Sequence, residues 1–196
     1  MGCKQSAPET NTRSLTADPE EAMADKLPEP APPAPTDPRL PLDVRQVFKL
    51  KKSWKGIKRC MESTGVEMFI RMFRSNCEIQ VLFQKLNHLQ TEEEMRVDEI
   101  LEKHATTVMA TVDEAMNNID NVDFVLALLR HRGSYHKKIP GFTKQMFWAI
   151  ELPFLEAVKI TLGDRYSDNM DIIYKKTIKF VLETMVEGYD TSNTVS

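Results

Sequence analysis

Little in this sequence favours extended structure, metal clusters or nucleic acid. Only seven glycines occur in 196 residues, and beyond residue 41 apolar residues recur at spacings of three and four instead of alternating, which reads as helix. Cysteine is scarce: Cys3, Cys60 and Cys77 make an odd count with no C-x-x-C spacing. Residues 1–40 also lack the apolar run of a secretory signal, so a reducing, cytosolic setting is expected. No stretch approaches the roughly 20 apolar residues that a spanning helix needs. Charge of one sign is absent as well. A net charge of -3 gives no basic footprint and excludes nucleic acid as the expected partner. What is present is enough apolar material, 41%, for the core of one ordinary domain.

The chain divides into three parts. Residues 1–40 contain PEPAPPAPTDPRLP, whose prolines forbid a helical ladder and favour extended conformations, so this part reads as a disordered tether. Residues 41–190 read as an all-α domain, and 191–196 as a short disordered tail. The start, MGCKQS, fits the M-G-x-x-x-[ST] pattern for N-myristoylation of Gly2, with Cys3 beside it for a second acyl chain.

Within the domain, helices are expected over 42–59 and 66–74 around a break at Ser63-Thr64-Gly65, then an irregular stretch over 76–89. One helix is expected over 143–160, kinked at Pro153. The last carries the stripe Met170, Ile173, Tyr174, Thr177, Ile178, Val181, Leu182 and Met185 behind a cap at Ser167 or Asp168. The acidic run TEEEMRVDE reads as a solvated first turn at a helix N-terminus. Cys60 and Cys77, near the two ends of the second helix, are candidates for a reversible disulfide. Lys137 and Lys138 meet either a ligand or solvent. The eleven methionines mostly fall on core stripes as gap-fillers.

Two histidines interrupt apolar stripes. The stripe Val97, Ile100, Leu101, Val108, Val112, Ala115 and Met116 includes His104, four residues from both Ile100 and Val108, so a titratable ring shares their face. His136 closes the next stripe, Val122, Val125, Leu126, Leu129 and Gly133. A single histidine on such a face is commonly a core residue satisfied by a hydrogen bond. Two imidazoles without cysteine or carboxylate neighbours also make a poor zinc site, which wants three or four protein ligands. They suit a planar cofactor that brings its own equatorial nitrogens and asks the protein only for axial ligands.

Across residues 42–190 the residues resemble a globin. Trp54 in KKSWKGIKR and the segment TGVEMFIRMFRSNCEIQVLF are similar to the first helices and corner of that family, and EILEKHATTVMATVDEAM is similar to the distal helix of neuroglobins. The resemblance implies a globin fold of about eight helices around a haem pocket. It implies haem b iron, with His104 as distal and His136 as proximal ligand, and Phe83, Phe69 and Val108 around the haem. HRGSYHKKIPGF also offers His131 as an alternative proximal ligand; the glycine three residues before His136 and the spacing of 32 from His104 favour His136. Arg132 stands where globins usually carry leucine, and Cys77 where they usually carry proline. MGC before a long extension resembles globin X, the acylated, membrane-bound branch.

The resemblance also implies the function. The expectation is a His-Fe-His protein tethered by Gly2 and Cys3 to the cytoplasmic face of a membrane, the plasma membrane first. It would bind oxygen, nitric oxide or carbon monoxide, and act in redox signalling or electron transfer with an external reductase. The alternatives are an enzyme acting on nitrite or nitric oxide and a simple oxygen carrier.

Overall fold

The computed structural model describes residues 37–191, and Gly2, Cys3, most of the expected tether and residues 192–196 lie outside that range. Among the described residues there are eight α-helices and no strand: α1 Val44–Arg59, α2 Met61–Ser75, α3 Cys77–Gln80, α4 Glu92–Val97, α5 Glu99–Asn117, α6 Val122–His136, α7 Glu151–Leu162 and α8 Asp168–Thr191. Short 3-10 turns, Lys144–Ile150 and Gly163–Arg165, flank α7. No helix among the described residues is long and apolar enough to cross a membrane.

Packing against the core begins before residue 41. Leu40 is buried in the core, and Arg39 bonds both Asp37 and Asp123. An apolar residue among prolines was enough to anchor this segment. α1 then begins on a capping box: the Asp43 carboxylate accepts from Gln46 N at 2.8 Å while the Gln46 side chain accepts from Asp43 N.

The break expected at Ser63-Thr64-Gly65 does not exist. α2 runs through it, and Gly65 is instead a point of close approach, where a Cβ would lie 2.8 Å from Met109 and 3.2 Å from Ala105 of α5. Cys60 and Cys77 are free and exposed. The 15 residues of α2 between them hold them about 22 Å apart. A disulfide needs Cα atoms within about 7 Å, so the expected pairing is ruled out while α2 is folded.

The acidic run opens its own helix, α4, capped by Thr91, and not the first turn of α5, which begins on Asp98 with Leu101 N donating to its carboxylate at 2.7 Å. Arg96 of α4 pairs with Glu67 of α2 at 2.7 Å, and Arg71 of α2 bridges Glu67 and Glu156 of α7. Pro153 makes no kink: the chain changes from 3-10 to α geometry at Glu151, so the ring occupies the first turn, where its missing N–H costs no bond. The last helix begins as expected, with Met170 N donating to Ser167 Oγ at 3.4 Å.

α1 is tied to α5 by one partly buried carboxylate. Trp54, 2% exposed, donates its Nε1–H to Asp113 at 2.9 Å, and Lys58 reaches the other oxygen at 2.7 Å. Asp113→Ala leaves the buried indole donor without a partner and is expected to cost about 2 kcal/mol in chemical denaturation. Lys58→Ala, removing an exposed ammonium, is expected to cost less than about 1 kcal/mol. Equal costs for the two would show that the ion pair, not the indole bond, carries the clamp.

Candidate functional site

Two aromatic clusters, each holding one imidazole, form the site. The first is built by α2, the segment after α3, and α5. Phe69 and Phe83 stand edge-on to the His104 ring at centroid distances of 5.1 and 5.2 Å, and Phe73 packs behind both. Phe69 is buried, while Phe83 and Val108 are half-buried. His104 itself is exposed, as are Val97 and Ile100 on the same stripe; Leu101, Ala105 and Met109 carry the packing of α5 instead. His104 stands against the Phe69 and Phe83 rings on the side of α5 that the apolar stripe marks.

The second cluster closes the end of α6. The His136 ring packs on Phe142 at 5.0 Å and Phe147 at 4.9 Å, and Tyr189 of α8 donates its hydroxyl to the Phe142 carbonyl at 2.9 Å. Gly141, with φ of 82°, provides the turn that brings Phe142 back onto the ring. His136 Nδ1 lies 2.9 Å from the Arg132 carbonyl oxygen. With Nδ1–H donating there, Nε2 keeps its lone pair, the tautomer an axial metal ligand needs. Arg132 thus acts through its backbone, so its unusual side chain leaves this bond unaffected.

The remaining candidates lie elsewhere. His131 is exposed and packs only on Tyr135, at 4.9 Å, among the ring contacts of the described residues. Lys137 sits over the Tyr189 ring at 5.2 Å, and Lys138 over Tyr135 at 4.8 Å. Phe73, Phe142, Phe147 and Tyr189 were missed from the sequence. Phe142 directly follows the Pro140-Gly141 turn and Phe147 lies five residues on, inside the 3-10 segment Lys144–Ile150, so no single helical period links them.

Both imidazoles are held below the ordinary histidine pKa of 6.5 by burial, and a charge on His136 lowers His104 further, whereas the Arg132 carbonyl pulls His136 the other way. The surrounding protein desolvates the His104 ring. A lowered histidine pKa means that the unfolded chain takes up protons that the folded chain resists. The stability contributed is present above about pH 6.5 and is lost as pH falls through the folded values. Haem-free protein is expected to lose stability in urea between about pH 7 and about pH 5, and a variant with leucine at both positions to lose less. Identical losses would remove these rings as the cause.

The donor set favours a porphyrin over a bare ion. No group of three or more His, Cys, Asp or Glu side chains among the described residues is arranged to hold a metal. Two imidazoles, each walled by aromatic rings, fit a flat apolar group needing only axial ligands.

The Globin family model matches residues 66–185. The chain is 26% identical to a neuroglobin of Dissostichus mawsoni over 141 residues, which covers 71% of this chain and 87% of that protein. It is 26% identical to cytoglobin-1 of Oryzias latipes over 96 residues, covering 49% of this chain and 54% of that one. A solved structure described as a hexacoordinated heme protein from an anhydrobiotic tardigrade superposes with a TM-score of 0.76 at 37% identity, covering 79% of this chain and 99% of the other.

Proposed function

Because this chain belongs to the globin family and takes haem iron as its cofactor, binding diatomic gases, we propose that it is a six-coordinate haem protein with His136 as proximal and His104 as distal ligand. We propose further that acyl chains on Gly2 and Cys3 hold it at the cytosolic face of a membrane, where it works in electron transfer or redox signalling. The observation that carries the first part is that α5 and α6 each present an aromatic-walled imidazole, the one on α6 with its Nδ1 at hydrogen-bond distance from the Arg132 carbonyl. The hexacoordinated state of the 37% identical tardigrade protein supports it.

Haem supplies a one-electron iron couple and a site for a small gas molecule. The chain's residues set the terms of access. His136, wedged between Phe142 and Phe147, holds one fixed orientation. His104 stands edge-on to Phe69 and Phe83, and those rings limit how far it moves. An external ligand must compete with that ring, and a ring that stays in place favours electron exchange over gas storage. The ferrous, ligand-free protein is expected to show sharp, split low-spin bands. A single broad five-coordinate band would overturn the His104 assignment.

The membrane part rests on MGCKQS. One myristoyl chain gives only marginal, reversible membrane binding, so Cys3 supplies the second signal. Gly2→Ala is expected to move the protein from the membrane to the soluble fraction of cells. Continued pelleting would overturn the anchor.

A further inference from the structure

The helix that leads into α5 is held mostly by charge. α4 has six residues, and of these only Met95 is buried, so little apolar surface keeps it against the domain. Its charged side chains do the rest. Arg96 reaches Glu67 of α2 at 2.7 Å and Glu92, one turn back on its own helix, at 3.5 Å. Glu92 in turn pairs with Arg74 of α2. The second oxygen of Glu67 takes Arg71 at 2.7 Å, and Arg71 continues to Glu156 of α7 at 2.7 Å.

Glu67 is the centre of this chain of pairs. Its side chain is 14% exposed, against 65% for that of Arg74. Burial alone would raise its carboxyl, and the Arg96 and Arg71 guanidiniums outweigh that and hold it below the ordinary glutamate range. A carboxylate mostly out of water and bonded to two cations is screened less than the Arg74–Glu92 pair at the rim. Both ends of the Glu67–Arg96 pair lie close to the distal imidazole along the chain. Glu67 is two residues before Phe69, whose ring stands 5.1 Å from the His104 ring. Arg96 is two residues before Asp98, the single residue between α4 and α5 and the N-cap of α5. A shift of the first turns of α5 is therefore passed to α4, and His104 stands in the second of those turns.

We propose that the Glu67–Arg96 pair is a latch that positions the distal imidazole: it ties the start of α5 to α2 and so slows the release of His104 from the iron. The proposal rests on the six-coordinate reading given above. The His104 ring is walled by Phe69 and Phe83, so its way out is a movement of the helix that carries it. A closed latch resists that movement because it would separate a mostly buried carboxylate from one of its two cations. Glu67 and Arg96 act through α5, as positioning residues.

The test follows carbon monoxide uptake by the full, haem-loaded ferrous chain at saturating gas, where release of the imidazole limits the rate. Glu67→Gln and Arg96→Gln are each expected to speed uptake about fivefold. Arg96→Lys, which keeps the charge, should stay near the original rate, and Arg74→Gln, at the exposed rim, should gain less than about twofold. In a His104→Leu background the same substitutions should change nothing, because no imidazole is left to release. In the haem-free chain, the backbone amides of residues 102–106 should exchange about fivefold faster in Arg96→Gln, while those of α6 keep their rate. Arg96→Gln also carries the uptake measurement if Glu67→Gln does not fold. Unchanged uptake in six-coordinate variants, a gain that persists without His104, or unchanged exchange over 102–106 overturns the latch and leaves the six-coordinate reading in place. A five-coordinate ferrous spectrum of the unaltered chain overturns that reading, and the latch with it.

Discussion

His136→Leu is expected to give a folded chain that purifies without haem. The imidazole is the one fixed ligand of the pair, its Nδ1 bonded to the Arg132 carbonyl and its ring clamped by Phe142 and Phe147. Leucine fills a comparable volume between those two rings, so the fold should lose little while the iron loses its anchor. His104→Leu is expected to retain haem but to convert the ferrous spectrum to a broad five-coordinate form, since His136 still holds the iron and no ring takes the place of the imidazole. His131→Leu, which changes an exposed ring beside Tyr135, should leave both haem content and spectrum unchanged. Haem content per chain and the ferrous spectrum of the three variants decide the matter. Loss of haem in the His131 variant alone would transfer the proximal role.

Gly133→Ala is expected to be the most destabilising single methyl addition in the domain, with Gly188→Ala close behind. α6 and α8 cross with their backbones touching. A Cβ on Gly133 would lie 1.9 Å from the Met185 carbonyl oxygen, and one on Gly188 would lie 2.0 Å from that of Arg130. Each glycine thus meets the residue three positions before the other. No side-chain movement relieves a clash with backbone, so the helices must separate along the most extensive packing in the molecule. Overpacking usually costs about 1–3 kcal/mol, and a backbone clash should reach ~3 kcal/mol or more. For a domain of this size that is a fall in Tm of about 10 °C. His136 follows Gly133 by less than one turn, and Lys137 rests on Tyr189 just beyond Gly188, so the separation should also loosen the proximal ligand. Faster haem loss to an acceptor protein is expected alongside the lower Tm. A Gly133→Ala variant with unchanged Tm would mean that the two helices are not in backbone contact in solution.

The helices themselves were legible in the sequence wherever one apolar period ran unbroken. α6 and α8 fall where their stripes put them, and the aromatic and histidine spacing around residues 104 and 136 was enough to single out both rings. Where composition was the guide it failed for physical reasons. Ser63-Thr64-Gly65 looks like a break because glycine and β-branched residues are weak helix formers. Yet α2 passes through because Gly65 gives α5 room to approach and Thr64 donates to the Cys60 carbonyl at 2.6 Å. Pro153 looks like a kink unless the helix starts just before it, and that start is set by packing, not by the proline.

Sequence alone determined the helical class, the two candidate imidazoles and the acylation pattern, because those depend on periodicity and on short contiguous motifs. Only the tertiary structure decided that the edges of Phe69 and Phe83 wall His104. It also decided that His136 is clamped by Phe142 and Phe147 and that His131 is left outside. Which face of α5 is covered depends on where α2 lies, and that depends on a glycine at a crossing forty residues away. Such contacts between distant segments carry no local period, so no reading along the chain reaches them.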